Sequence, residues 1–388
     1  MSTRSLLARH YATGQLVRVE IDDGRLREVT PADRAVASAT WLAPALVDLQ
    51  INGYAGVDFQ QDDLATEALT RAAQALQRDG CTRFFFTLIT EAWPRLLERL
   101  RRARRRRDQA PLLRHAIAGW HIEGPFLSPE PGFRGAHEAS VMCDPTPAMI
   151  EELRDAAGED PVLLTLAPER AGALPAMARA VALGMRVSLG HSNASAETLQ
   201  AARAAGATGF THLGNGCPAQ LDRRDNILWR VLDDAGLTVS LIPDTFHVAP
   251  ALFRLIHRLL SREAVYYTTD AMAAAGAPPG TYTLGRLQLE VGAEGIVRLP
   301  GTANLAGSAL TPLAGVWRAA RMLGRPWPQT WPHFSEHPAR FMGLASGLQP
   351  GRPADFCLVQ CDAAGTPQKV QVFCEGDLVA ERPADWPG

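Results

Sequence analysis

No run of apolar residues in this chain reaches the roughly 18–20 positions needed to cross a bilayer, so no membrane span is expected. The opening MSTRSLLARHYATGQ carries some positive charge but lacks the apolar stretch and small-residue cleavage site of a secretory leader. Strong charge of one sign is also missing. The formal net charge is −2 over 388 residues, which gives the chain as a whole no pull toward nucleic acid or an anionic membrane. The six cysteines, Cys81, Cys143, Cys217, Cys357, Cys361 and Cys374, form no C-x-x-C pair. They read as reduced thiols of a cytoplasmic protein. Neither G-x-G-x-x-G nor G-x-x-x-x-G-K-[ST] follows an apolar run, which removes the usual nucleotide-binding turns.

What is present is an ordinary globular balance, 46% hydrophobic and 21% charged, in a chain long enough to bury a large core unaided by disulfides. Both ends read as short strands. LVRVEIDDGRLREV alternates on either side of Asp23-Gly24, and VQVFCEGDLVAE does the same around Glu375-Gly376; both are hairpin signatures. Between them, apolar runs at 45–51, 82–89, 115–124, 161–169, 185–191, 208–214, 237–244 and 264–270 alternate with helical patterns at 63–78, 91–107, 147–156, 172–183, 195–205, 226–235 and 249–261. Eight such strands predict an α/β fold, a (β/α)₈ barrel over residues 45–345. Residues 1–44 and 346–388 are expected to combine into a small β-sandwich domain. The run Arg101-Arg102-Ala103-Arg104-Arg105-Arg106-Arg107 has no interleaved aromatics. It reads as a solvated helix end rather than a nucleic-acid site.

In a barrel of this kind chemistry gathers where the strands end. Five of the eight strands end in a group able to bind metal or move a proton: Glu123, His191, His212, Asp244 with His247, and Asp270. One such histidine is ordinarily structural; five residues brought to one face by register are hard to explain as packing. Glu123, His191 and His212 make a metal set that leaves an open position for water or substrate. Asp270 is then free to take a proton from that water and return it to a leaving amine.

The segments HIEGPFLSPEPGFRGAH (121–137), GHSNAS (190–195), THLGNG (211–216), TTDAM (268–272) and LAGSALT (305–311) together resemble the N-acetylglucosamine-6-phosphate deacetylases of the amidohydrolase superfamily. The likeness runs in order from about residue 42 to 345 and takes in NGYAGVDF (52–59) and HPARFMGL (337–344). It implies the same barrel with a β-sandwich from both termini. It also implies a single divalent cation, foremost Zn²⁺ with Fe²⁺, Mn²⁺ and Co²⁺ as alternatives, held by Glu123, His191 and His212, with Asp270 as general base and acid. By the same resemblance His137 contacts a sugar hydroxyl, and His247 binds substrate and polarises its carbonyl. Asn215 and Gly216 offer backbone N–H groups to a phosphate, and Arg223 is the phosphate-binding arginine, which in similar enzymes reaches across a homodimer interface.

The sequence departs from the family pattern in several places. Where many amidohydrolases carry H-x-H this chain has Gln50-Ile51-Asn52, and amides are poor ligands for a zinc-like ion; one ion is expected. Gly214-Asn215-Gly216-Cys217, Arg223-Arg224-Asp225-Asn226 and Asp244-Thr245-Phe246-His247 also differ, and Asp225 adds a negative charge beside the arginines. The expected reaction is hydrolysis of the N-acetyl amide of N-acetylglucosamine 6-phosphate, with Leu305-Ala306-Gly307-Ser308 as a candidate wall of the acyl pocket. The alternatives are an unphosphorylated or differently configured N-acyl amino sugar, the opening of a cyclic amide, and a non-catalytic metal- or sugar-binding protein on the same scaffold.

Overall fold

The computed structural model describes residues 4–32, 39–234, 236–301 and 305–386. Parts of the expected terminal segment, 1–3 and 33–38, and the end of the chain, 387–388, lie outside the described residues.

Eight strands, Leu46–Ile51, Cys81–Ile89, Ile117–Glu123, Val162–Leu166, Arg186–Leu189, Gly209–Phe210, Thr238–Leu241 and Val265–Tyr267, pair in chain order, and every ladder between neighbours is parallel. A helix follows each of the first seven, and Pro312–Leu323 serves the eighth. Local chemistry sets several of the starts. Proline opens Pro147–Ala157, Pro250–Leu259 and Pro312–Leu323, where the missing N–H costs nothing. Ser195 Oγ accepts from the Thr198 N–H, and Asn226 Oδ1 from those of Leu228 and Trp229.

The seam between the first and eighth strands has no regular ladder. It is closed by the Ile51–Ala271 bridge and by the buried carboxylate of Asp48. That group accepts from Thr268 Oγ1 at 2.5 Å, Thr269 N at 2.9 Å and Thr269 Oγ1 at 2.6 Å. Burial drives the Asp48 carboxyl up to about 6, against the pull of these hydrogen bonds.

The two ends of the chain meet in one seven-stranded sheet, in the order 377–383, 367–374, 356–361, 40–44, 4–10, 16–22 and 25–31. Both expected hairpins are there. Asp23 and Gly24 have φ of 46° and 71°, and Glu375 and Gly376 have φ of 47° and 78°, the left-handed pair that a two-residue hairpin turn requires. Both faces of this sheet are buried in part: Ala8, Val19, Leu42 and Phe356 lie on one face and Val359, Val370 and Val372 on the other, all fully buried.

Two features differ from expectation. Gly280–Leu284, Leu287–Val291 and Val297–Arg298 form an additional three-stranded antiparallel sheet beyond the eighth strand. The alternation TYTLGRLQLEV about Gly285 carries its signal, inside the residues 45–345 expected as barrel. The arginine-rich helix Trp93–Gln109 is laced with ion pairs rather than simply solvated. Arg95 and Arg99 meet Asp62 and Glu91, Arg102 and Arg105 meet Glu98, and Arg104 and Arg107 meet Asp160. All six cysteines are free thiols.

Candidate active site

Glu123 closes the third strand, and His191, His212 and Asp270 follow the ends of the fifth, sixth and eighth. The last three have φ of 49°, 33° and 51°. This left-handed geometry is costly for residues with a Cβ and recurs where a fold is made to aim a functional side chain. They open into a cavity of about 730 Å³ at the C-terminal ends of the strands, a size suited to a small ligand.

The Glu123 carboxylate lies at the centre. His212 Nε2 is 2.8 Å and His191 Nε2 3.5 Å from its Oε1, and His137 Nε2 is 3.9 Å from Oε2. The imidazole of His191 donates from Nδ1 to the Phe133 carbonyl at 2.8 Å, which leaves the Nε2 lone pair facing the carboxylate. Burial would raise Glu123, but the surrounding His191, His212 and His137 imidazoles outweigh it and hold the carboxyl well below its usual range. These three groups fit a divalent cation. One anion and two imidazoles converge with ligand atoms within 4.8 Å of one another, and Asn52 Oδ1, on a residue lining the same cavity, is buried without a hydrogen-bond partner among the described residues.

Asp270 stands beside this cluster. Its Oδ1 accepts from Asn52 Nδ2 at 2.6 Å and Gln50 Nε2 at 3.0 Å. The two amides that replace H-x-H therefore hold the carboxylate, a role that sequence reasoning missed although it had singled out their positions. Enclosure, and then the negative charge of Glu123, push Asp270 up to about 7, a value suited to a group that takes and returns a proton near neutrality.

His247 Nδ1 lies 2.6 Å from Asp244 Oδ2, while Asp244 Oδ1 accepts the N–H groups of Phe246 and His247. Burial alone would raise Asp244, but the His247 hydrogen bond keeps it low. Asp244 is thus the partner that orients His247, leaving Nε2 to the cavity. His137 is pinned through Nδ1 to Thr90 Oγ1 at 2.8 Å. Burial, with the neighbouring His191, lowers His137 to about 3, so its ring is neutral at physiological pH.

The residues expected on the phosphate side are less tightly gathered. Asn215 and Gly216 line the cavity, but the Asn215 N–H already donates to the His212 carbonyl at 2.9 Å, so of the two expected backbone donors that one is committed internally. Arg223 and Arg224 are exposed on the loop outside the cavity. Among the described residues, those lining the cavity include no lysine or arginine. Asp225 does not oppose Arg223, because it forms a two-pronged pair with Arg230 at 2.7 and 2.8 Å. Leu305, Ala306 and Gly307 line the cavity, joined by Leu284 and Leu287 of the additional sheet, whereas Ser308, expected with them, is not among the lining residues and donates its Oγ–H to the Thr269 carbonyl.

Glycine at 216 has a steric reason. Its φ is +61°, and a Cβ there would lie 2.9 Å from His191 Nδ1. Gly216→Ala is therefore expected to cost about 1–2 kcal/mol in stability. It should also lower kcat/KM by up to about 100-fold by shifting the His191 ring. Thermal unfolding and steady-state assays of the variant check both.

Comparison with known proteins decides the relationship. No family model matches the chain. A deacetylase of N-acetylgalactosamine 6-phosphate from Escherichia coli O157:H7 is 31% identical over 369 residues, 94% of this chain and 94% of that protein. The N-acetylglucosamine-6-phosphate deacetylase of Vibrio furnissii is 32% identical, covering 90% of this chain and 85% of its own. The chain belongs to the N-acetylglucosamine-6-phosphate deacetylase family. Among solved structures, an aspartate-to-alanine variant of the Mycobacterium smegmatis N-acetyl-D-glucosamine-6-phosphate deacetylase, in complex with N-acetyl-D-glucosamine-6-phosphate, superposes with a TM-score of 0.87 at 31% identity, covering 98% of this chain and 100% of that one. As a deacetylase-family member the chain is an amidohydrolase. Among the described residues no helix is long and apolar enough to cross a membrane.

Proposed function

We propose that this enzyme adds water across the N-acetyl amide of N-acetylglucosamine 6-phosphate, yielding glucosamine 6-phosphate and acetate. The observation that carries the reading is the Asp270 carboxylate standing beside the Glu123, His191 and His212 cluster inside one cavity. In this reading those three residues hold one divalent ion, foremost Zn²⁺. When bound, it supplies Lewis acidity toward the amide carbonyl and toward water. Asp270 Oδ1 is held by Gln50 and Asn52, which leaves Oδ2 to remove a proton from the attacking water and hand it to the departing amine nitrogen. His247, fixed by Asp244, offers Nε2 to the carbonyl oxygen as negative charge develops there. His137 stands where a sugar hydroxyl can meet its Nε2.

The sugar phosphate is assigned to the Gly216 side, with Arg223 as its cation. Because Arg223 lies outside its own cavity, this assignment has it serve the site of a second copy in a cytoplasmic homodimer. Arg223→Ala should then raise KM for the phosphorylated substrate at least about tenfold and leave an unphosphorylated N-acetyl sugar unaffected. If neither substrate responds, the phosphate role of Arg223 is wrong.

A second reading keeps the chemistry and changes the sugar to the galacto configuration, favoured by the Escherichia coli relative. A panel of N-acetylglucosamine and N-acetylgalactosamine, each with and without 6-phosphate, assayed for released amine, tests both. Turnover of none of the four would refute the proposed function.

A further inference from the structure

On the far side of the barrel from the active site, where it meets the terminal sheet, a second set of ligating groups converges. His115 lies in the short helix Pro111–Ala116, Asp355 directly precedes the strand Phe356–Cys361, and Cys374 ends the strand Pro367–Cys374. One ligand atom from each lies within 4.8 Å of the others. His115 Nε2 is 2.7 Å from Asp355 Oδ2, and its Nδ1 is 3.7 Å from Glu375 Oε1. The second oxygen of Asp355 is taken by the Glu375 N–H at 2.8 Å, so it is Oδ2, which also accepts from Thr82 Oγ1 at 3.4 Å, that faces the cluster. Cys374 is buried, while His115 and Asp355 keep side-chain exposures of 15% and 10%, enough to give an ion a way in.

We propose that His115, Asp355 and Cys374 form a second metal site, structural in kind, which takes a Zn²⁺-class ion and ties the terminal sheet to the barrel. One imidazole, one carboxylate and one thiolate suit a borderline-soft ion, which completes a tetrahedral set with water. Glu375 lies on the outer nitrogen of His115, the position from which a carboxylate fixes the tautomer that presents Nε2 as ligand. Binding displaces the Cys374 thiol proton and the proton that His115 Nε2 holds against Asp355, so up to two protons are released per ion bound. Charge then balances: two carboxylates and a thiolate face a divalent ion and the nearby guanidinium of Arg83, which interacts electrostatically with Asp355. The ordinary alternative is a His115–Asp355 ion pair beside an inert buried thiol. It leaves unexplained why a sulfur and two carboxylates from the sheet crowd the same imidazole.

The test uses the full-length enzyme loaded with Co²⁺ or Zn²⁺ and freed of loosely held ion. Two ions per chain are expected by elemental analysis, falling to one in Cys374→Ser and in His115→Asn, both of which should keep deacetylase activity. The parent, but neither of these two variants, should show a thiolate-to-Co²⁺ charge-transfer absorption, and Cys217→Ser, in the active-site cavity, should retain it. Glu123→Gln should lose the other ion and keep this absorption, so the two sites fail independently. A single ion in the parent with no thiolate band would overturn the proposal, as would two ions that persist in Cys374→Ser.

Discussion

Asp270→Asn is expected to lower kcat/KM about 10³-fold while leaving the fold and the bound ion in place, the scale of losing a positioned general base. The substitution keeps shape and removes the proton-accepting oxygen. The loss should therefore fall on kcat, with KM for the sugar phosphate little changed. It is checked by initial rates of amine release alongside elemental analysis. The pH profile carries a second signature. Asp270 must be ionised to accept a proton, so activity should fall as pH drops through its pKa. Enclosure and Glu123 place that value at about 7 in the ion-free chain; a cation beside the carboxylate lowers it. The acid limb of kcat/KM should accordingly lie below pH 7, and Asp270→Asn should abolish it rather than shift it. A variant as active as the parent would remove Asp270 from the mechanism.

Glu123→Gln is the other large effect. The amide preserves volume but takes the one anion from between His191 and His212. Bound ion at this site should drop from one per chain to a small fraction, and kcat/KM by at least about 10³-fold, a few kcal/mol of transition-state stabilisation. Removing the ion from the parent with a chelator should reproduce the loss, and adding back Zn²⁺, Fe²⁺, Mn²⁺ or Co²⁺ should restore activity. The same variant tests the single-ion reading of this cavity. If Gln50 and Asn52 helped to hold a second ion, Glu123→Gln would release two; because both amides donate to Asp270 instead, one is expected.

Much of the barrel could be read in the residues because strand and helix periods alternate cleanly there and each strand carries an apolar run that the fold buries. The strand expected at 208–214 is the instructive departure. Only Gly209–Phe210 hold ladder geometry, because the chain turns at once to bring His212, at φ 33°, over the centre. The three-stranded sheet is hidden in the sequence for a different reason. Alternation of period two marks a strand but does not say whether it belongs to the barrel or stands outside it. The pairing of the arginine-rich helix with Asp62 and Asp160 was likewise invisible, since those residues lie far from it in sequence and meet it only in the fold; its Arg95–Glu91 and Arg102–Glu98 pairs stand at i,i+4.

Taken alone, the order of residues determined which side chains would stand at the mouth of the barrel. Strand register carries Glu123, His191, His212, His247 and Asp270 to the same end whatever the loops do. What tertiary structure decided was how each of them is held. Phe133 O fixes the tautomer of His191, Asp244 the ring of His247, Thr90 that of His137, and Gln50 with Asn52 hold Oδ1 of Asp270. It also placed Arg223 outside its own cavity and brought Cys374 to His115 across the junction with the terminal sheet. Hydrogen bonds and ligand sets depend on distances of a few tenths of an ångström between segments 240 residues apart and more. Period and spacing cannot encode such distances until the chain has packed.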